Sequence, residues 1–267
     1  MSALLLTKHH GFGNDFLVVF HPAFDDPAAV ARRVCDRRRG VGADGLLVGE
    51  SEPGHSARMM LFNADGSRAE MSGNGIRCFA QALAMRRHDD LPVTMTIATD
   101  AGPRVVQVVS TDDTATVQVT VGMGRLVPID PPAGWAGLSV LADRPVAHIG
   151  VGNPHSVVAV GDVTVVDLEQ LGRRVPDVNL EIIEPGPEEY AVTMRVHERG
   201  AGLTEACGTG AVAAAWAADS WGLARRRDGE LVVHMDGGSA IVSLDHPEQG
   251  HATLAGPATH IAAIEVP

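Results

Sequence analysis

Two copies of one glycine-rich pattern constrain this chain more than any other feature of its sequence. Residues 70–75 and 205–210 both read Glu-x-(Ser/Cys)-Gly-(Asn/Thr)-Gly, and both run into alanine-rich sequence. The copies lie 135 residues apart, from Ser72 to Cys207, which is about half of the 267-residue chain. Since helical sequence follows each copy, duplication explains them better than chance recurrence does, and the pattern predicts two similar halves.

The remaining sequence predicts an α/β (α+β) chain in which strands dominate. β-Branched runs bounded by turn residues predict strands at 105–109, 115–121, 156–160, 192–196, 231–235 and 240–244. Helical patterns are confined to 28–38, 74–87 and 208–223. We place the boundary near 127–132, which gives a first half at 1–127, carrying Ser72, and a second at 128–255, carrying Cys207. The Pro/Gly-rich stretch at 128–137 could equally be a surface loop.

Composition disfavours two classes of partner. The chain is 45% apolar, which suffices for a core, and 33 acidic against 21 basic side chains give a formal net charge of -12. Such a charge repels nucleic acid and anionic lipid. No stretch approaches the ~20 apolar residues of a membrane span, and the three N-terminal leucines are too few for a signal peptide. We therefore expect a cytoplasmic protein without nucleic-acid or membrane partners.

The three cysteines do not predict a disulfide framework or a metal site, because their number is odd and no CxxC pair occurs. Cys35 and Cys78 lie in helical sequence among apolar neighbours, where packing is the better interpretation. Cys207 stands at a predicted helix start, whose dipole favours the thiolate and is expected to lower the pKa of the thiol towards the range of a general base. The alternative is a buried thiol with a structural role, but the glycine-rich setting favours a functional one.

The repeat also suggests a chemistry. The N–H groups of a helix start can cradle a carboxylate, and the small residues after Ser72 and Cys207 let a ligand approach the backbone. If the two helix starts hold one carboxylate, the two side chains face opposite sides of the neighbouring carbon. One group then removes a proton and the other returns one, which is stereoinversion.

With these residues in view, the chain resembles the diaminopimelate epimerase family along essentially its whole length. The family-like blocks occur in the family's order: His-Gly-Phe-Gly-Asn-Asp-Phe at 10–16, Gly-Val-Gly-Ala-Asp-Gly at 40–45, Phe-Asn-Ala-Asp-Gly-Ser at 62–67, Gly-Asn-Pro-His at 152–155, Glu-Arg-Gly-Ala-Gly at 198–202 and Gly-Pro-Ala-Thr-His at 256–260. Several such blocks in order make a specific signal.

The resemblance implies two pseudo-symmetric halves, each a mixed sheet wrapped around a central helix, with the active site in the cleft between them. A C-terminal strand at about 256–267 would complete the first half. The implied reaction is epimerisation of L,L-diaminopimelate to the meso form by two-base proton transfer at Cα, without metal or pyridoxal phosphate. The implied partners are this small amino acid and a second copy of the chain, since dimers occur in the family.

The family's functional residues can be carried over position by position. The two catalytic cysteines map to Ser72 and Cys207, with His155 and Glu198 as assisting groups. Taken alone, Asn153 before a proline is typical of a turn, and Arg199 beside a glutamate is typical of a surface pair. The resemblance instead implies substrate contacts from Asn14, Asn63, Asn153, Asn179, Glu198 and Arg199, and a backbone cradle from Gly73, Asn74, Gly208 and Thr209.

Two departures from the family pattern bear on activity. Ser72 replaces the first cysteine, and a hydroxyl is a far weaker acid than a thiol, so reversible epimerisation should suffer. Leu203 stands where the family usually has glutamate in a Gly-Glu-Thr run, although Glu205 follows two residues later. Ser72 is either an engineered substitution that traps ligand or a natural change of reaction.

Other functions stay open on these residues. A divergent relative could racemise another amino acid, or dehydrate one, because elimination needs only one base. A catalytically inactive amino-acid-binding protein would keep the cradle and Arg199. A cysteine hydrolase built on Cys207 and His155 ranks last, since no third residue that orients the histidine can be identified.

Overall fold

The computed structural model of the chain describes residues 3–138, 143–244 and 251–267. It divides into two compact units. Unit 1 comprises Met1–Val121 and Ala255–Pro267, and unit 2 comprises Gly122–Leu254. Two strands, β8 (Thr116–Arg125) and β17 (His251–Val266), contribute residues to both units.

Unit 1 is a mixed sheet with two helices. Strands β2 and β3 are parallel, as are β4 and β6, whereas β1–β2, β3–β4, β4–β5 and β6–β7 are antiparallel. The elements follow the order β1 (Leu4–Gly11), β2 (Asn14–Phe20), α1 (Pro27–Val34), β3 (Gly45–Glu50), β4 (Ala57–Asn63), β5 (Arg68–Ala69), α2 (Gly73–Arg87), β6 (Val93–Ala98) and β7 (Arg104–Ser110).

Unit 2 repeats this order and these pairings. Strands β11 and β12 are parallel, as are β13 and β15, and the other neighbours are antiparallel. The repeated elements are β10 (Val146–Gly150), β11 (Pro154–Ala159), α3 (Leu168–Gly172), β12 (Asn179–Pro185), β13 (Ala191–Glu198), β14 (Gly202–Thr204), α4 (Gly208–Trp221), β15 (Glu230–Met235) and β16 (Gly238–Leu244). A short strand, β9 (Val127–Pro128), and a single 3₁₀ turn at Trp135–Gly137 precede them.

Each unit surrounds one central helix with its sheet. Helix α2 packs against β1, β2, β4 and β7 and is buried from Gly73 to Ala84. Helix α4 packs against β11, β12, β13, β15 and β16, and its small apolar side chains are buried on nearly every face. A helix buried all round needs such composition, because strands approach it from several sides. The predicted fold class is confirmed, as are the six predicted strands.

The first helix is shorter than its sequence predicts. The pattern indicates a helix over 28–38, but α1 begins after the cap Asp26 and ends at Val34. The carboxylate of Asp36 accepts hydrogen bonds from the N–H groups of Arg38 and Arg39, at 2.7 and 2.8 Å. These local bonds hold a turn in place of another helical turn. The short α3 was not predicted, because five residues carry too little periodicity.

In the part of the chain that the structure describes, no helix has the length and apolarity that crossing a membrane requires.

Candidate active site

The two repeated patterns form two equivalent helix starts. Ser72 is the N-cap of α2, and its Oγ accepts a hydrogen bond from Gly75 N at 3.0 Å. Cys207 is the N-cap of α4, and its Sγ accepts one from Gly210 N at 3.4 Å. Both caps have extended backbone dihedrals, as N-caps do. Each side chain therefore lies at the positive end of a helix dipole, beside N–H groups of the first turn.

The Ser72 helix start is held by amides and by a cluster of charges. Asn74 Nδ2 donates to Asn14 Oδ1 at 3.2 Å, and Asn14 Nδ2 donates to Asp44 Oδ2 at 2.6 Å. Arg37 joins the Asp44 and Asp15 carboxylates at 2.8 and 2.7 Å. Two of the predicted substrate contacts in unit 1 are thus directly bonded to each other, with a carboxylate fixing the orientation of Asn14.

A buried arginine lies behind the same helix start. The guanidinium of Arg77 donates to Gly73 O at 3.3 Å, Asn74 Oδ1 at 2.9 Å and Pro257 O at 3.2 Å, and it lies 4.6 Å from the centre of the Phe12 ring. Burial lowers its pKa to about 10, so the side chain stays charged at neutral pH. Arg77 therefore places a cation beneath the proposed carboxylate cradle.

Asn63 takes a separate place in unit 1. It is the last residue of β4 and is exposed, and its Nδ2 donates to Ser67 Oγ at 2.9 Å. Its part in binding stays a prediction from the resemblance.

The Cys207 helix start ends a chain of hydrogen bonds. Sγ lies 3.4 Å from Thr209 Oγ1, which accepts from Asn153 Nδ2 at 3.4 Å. Asn153 Oδ1 lies 2.9 Å from His155 Nε2, and His155 Nδ1 lies 2.6 Å from Glu181 Oε1. Since an amide oxygen only accepts, Nε2 carries a proton. With both ring nitrogens bonded, His155 reaches the thiol through Asn153 and Thr209.

The remaining predicted contacts of unit 2 gather around the end of β13. Asn179 Oδ1 accepts from Arg199 N at 2.8 Å, and its Nδ2 donates to Pro154 O at 3.3 Å. The half-buried Glu198 accepts from Thr204 Oγ1 at 2.6 Å. The exposed side chain of Arg199 follows directly, where a guanidinium can grip a carboxylate at two points.

The electrostatics at Cys207 differ from the sequence-based expectation. Burial raises the pKa of its thiol well above the usual value, and the negative charges of Glu198 and Glu181 raise it further. The hydrogen bonds from Thr209 and Gly210 lower it, but by less. The expectation that the helix start brings this pKa down is therefore wrong for the chain without substrate, because burial outweighs the helix dipole.

Three neighbours of the site escaped the sequence analysis. Asp44 lies in a family-like block but was given no role. Arg77 is the only charged side chain among the twelve buried residues of α2, and Glu181 is a carboxyl within the buried run of β12. Arg77 and Glu181 carry the same sequence signal, because a charged residue inside an apolar element needs a buried partner. Around the described residues, no group of three or more His, Cys, Asp or Glu side chains is arranged to hold a metal ion.

The comparisons with known proteins agree on one family. The family model described as diaminopimelate epimerase matches residues 6–128 and 147–261. The chain is 39% identical to the diaminopimelate epimerase of Desulforudis audaxviator, with 96% of each chain covered. It is 36% identical to that of Agathobacter rectalis, covering 97% of this chain and 98% of the relative.

Solved structures at lower identity resemble the fold alone. A predicted epimerase from Pseudomonas aeruginosa has a TM-score of 0.76 at 17% identity and covers 98% of this chain and 99% of its own. A phenazine biosynthesis protein of the PhzF family from Bacillus anthracis has a TM-score of 0.75 at 17% identity, with both chains fully covered. A hydroxyproline epimerase from Agrobacterium vitis has a TM-score of 0.68 at 14% identity and covers 100% of this chain and 91% of its own.

Proposed function

Because this chain belongs to the diaminopimelate epimerase family, we propose that it moves the proton at one Cα of diaminopimelate and thereby interconverts the L,L and meso forms. The observation that carries this proposal is the full-length match to epimerases, together with a proton-carrying thiol at the start of α4. The function serves amino-acid biosynthesis. We further propose a cytoplasmic homodimer that needs neither metal nor pyridoxal phosphate.

Binding is assigned to groups on both helix starts. By the resemblance, Gly73, Asn74, Gly208 and Thr209 belong to the backbone cradle of the reacting carboxylate, and the positive end of a helix dipole favours an anion. The amides of Asn14, Asn63, Asn153 and Asn179 would hold the polar ends of the substrate, and the exposed guanidinium of Arg199 suits its distal carboxylate.

The proton transfer is assigned to Cys207. In the reaction its thiolate would remove the α-proton, and the electron pair left on Cα would delocalise into the carboxylate, which the helix-start N–H groups stabilise. Returning the proton to the same face regenerates the starting isomer. Inversion needs a second proton donor, a role that the resemblance gives to Ser72, whose hydroxyl is only weakly acidic. Hence we expect exchange of the α-proton with solvent to outpace inversion.

The test is proton NMR of L,L- and meso-diaminopimelate in D₂O, with the unaltered chain, Ser72→Cys and Cys207→Ser. Restoring the thiol pair should accelerate inversion about a hundredfold or more, in keeping with the contribution of one general acid or base. Cys207→Ser should abolish exchange.

Two results would overturn the proposal. If neither the unaltered chain nor Ser72→Cys exchanges the α-proton or inverts the substrate, the diaminopimelate assignment is contradicted. Tight binding of diaminopimelate without any deuterium at Cα in either protein would favour a non-catalytic binding protein instead.

A further inference from the structure

A buried acid–base pair lies behind the first turn of α4. His155 and Glu181 are both completely buried, and His155 Nδ1 lies 2.6 Å from Glu181 Oε1. The other carboxyl oxygen, Oε2, is also buried and has no hydrogen-bond partner among the described residues. Burying a carboxyl with one oxygen unsatisfied is costly, and burial raises the pKa of Glu181. A carboxyl buried at such a cost in free energy indicates a role beyond packing.

The Glu181 carboxyl and the Cys207 thiol both lie beside Gly210. A Cβ atom added to Gly210 would lie 2.7 Å from Glu181 Oε1 and 3.3 Å from Cys207 Sγ. Carboxyl and thiol thus line the same small space at the helix start, separated by a glycine that leaves it open. Gly210 also supplies the N–H that bonds Cys207 Sγ. Glu181 therefore acts on the same atom as this N–H, with the opposite electrostatic effect.

The other unit lacks the pair. In unit 1 the parallel strands β2 and β3 pair Phe16 with Gly45, just as β11 and β12 pair His155 with Asn179. Two residues further along the second strand lie Leu47 in unit 1 and Glu181 in unit 2. A Cβ on Gly75 would lie 3.4 Å from Leu47 Cδ2, where the equivalent position in unit 2 meets Glu181. The His155–Glu181 pair therefore lies near Cys207 and has no equivalent near Ser72 in the described part of unit 1.

We propose that Glu181 is a positioning residue that sets the protonation state of Cys207. The helix start, Gly210 N–H and Thr209 hydroxyl favour the thiolate, whereas the carboxyls of Glu181 and Glu198 favour the thiol. The next step rests on the proposed function. Diaminopimelate carries an ammonium group at the reacting carbon, so substrate binding shifts the balance between thiol and thiolate. A cation within a few ångströms stabilises the thiolate. Cys207 thus keeps its proton in the empty site and releases it when substrate binds.

Other titratable groups on the strands around α4 have partners of their own. His148 Nδ1 bonds Ser156 Oγ at 2.9 Å, His234 Nε2 bonds Glu188 Oε2 at 2.8 Å, and Arg195 Nη1 donates to Val163 O at 3.1 Å. The ring of His197 lies against Gly172 of α3. The groups that bear on Cys207 are therefore the Glu181–His155 pair and Glu198.

The experiment is the pH profile of Cys207 alkylation by iodoacetamide, followed by mass spectrometry of the labelled peptide in the full chain without substrate. Thiolate is the reacting form, so the midpoint reports its ionisation. Glu181→Gln should move the midpoint to lower pH and speed alkylation at neutral pH about tenfold, which corresponds to one pKa unit. Glu184→Gln, the same change on the same strand with its Val163 N–H bond retained, should leave the profile unchanged.

Two results would contradict the expected one. An unchanged profile in Glu181→Gln would mean that the residue only packs, and a midpoint moved to higher pH would mean that it supports the thiolate through His155. Either overturns the proposal. Cys35 and Cys78, both buried, report any loss of folding through their own labelling. If they react in Glu181→Gln, Glu181→Met supplies the same comparison. No step needs turnover, so failure here is distinct from failure of the epimerase assignment.

Discussion

Arg77 shows how much one side chain can organise. Its guanidinium joins α2 to the C-terminal part of unit 1 through Pro257 O, and it fixes Asn74, which bonds Asn14. None of the ion pairs among the described residues includes it, so its charge is met by carbonyl dipoles and by the Phe12 ring. Such an arrangement is stable only while every donor keeps its acceptor.

We expect Arg77→Met to destabilise the fold by about 3 kcal/mol or more, because three oxygens each lose a donor while an apolar chain replaces a buried charge. Arg86→Met on the same helix is the control. Arg86 is exposed and lies 5.3 Å from the Phe20 ring, so its loss should change the free energy of unfolding by under about 0.5 kcal/mol. Urea denaturation of both variants measures the difference. Equal effects would contradict this account.

Helices α2 and α4 begin alike but lie against different strands. Each has a cap whose side chain accepts the N–H of a glycine three residues later. Behind α2 that glycine meets Leu47, and behind α4 it meets the carboxyl of Glu181, which is held by His155. The first turn of α2 therefore packs against an apolar side chain, and the first turn of α4 packs against an ionisable one.

The two glycines should respond differently to alanine. Gly210→Ala would place Cβ 2.7 Å from Glu181 Oε1, an oxygen that is held by its bond to His155. Gly75→Ala would meet Ser72 Cβ at 3.1 Å and Leu47 at 3.4 Å, and alanine gains about 1 kcal/mol in helix propensity. We expect Gly210→Ala to lower the melting temperature and Gly75→Ala to leave it nearly unchanged. Similar losses in both would contradict the proposed contact.

The molecule as a whole keeps all three of its thiols buried. Burial raises the pKa of Cys35 and of Cys78 to about 12, and it raises that of Cys207 as well. In the unfolded chain these thiols ionise near their ordinary pKa of about 8.5. Above that pH the folded chain therefore holds protons that the unfolded chain has lost, and stability falls as pH rises.

We expect the free energy of unfolding to decrease between about pH 9 and pH 11, by up to about 1.4 kcal/mol per thiol for each pH unit. Cys78→Ala should make this decrease shallower, since one thiol no longer titrates, whatever its effect at neutral pH. Denaturation curves at a series of pH values, with and without the substitution, measure the slope. An identical slope in both proteins would refute the linkage.

Local rules were enough to identify much of this protein from its sequence. Strand alternation, helix caps and the alanine-rich runs after Ser72 and Cys207 are properties of neighbouring residues, so the strand-rich pattern and the two helix starts could be read directly. The repeat predicted two similar units, and the ordered blocks identified the family. One exception, the end of α1, depended on competition between a helical bond and the side chain of Asp36.

Tertiary structure alone decided what surrounds those helix starts. The sequence marks Arg77 and Glu181 only as charged residues inside apolar elements, and packing shows that one is a buried cation near Ser72 and the other a buried acid near Cys207. Packing also reversed the expected shift in the pKa of Cys207, because desolvation depends on the residues that cover the thiol from distant parts of the chain. Caps and periodicity are local, whereas burial, charge and their balance belong to the folded whole.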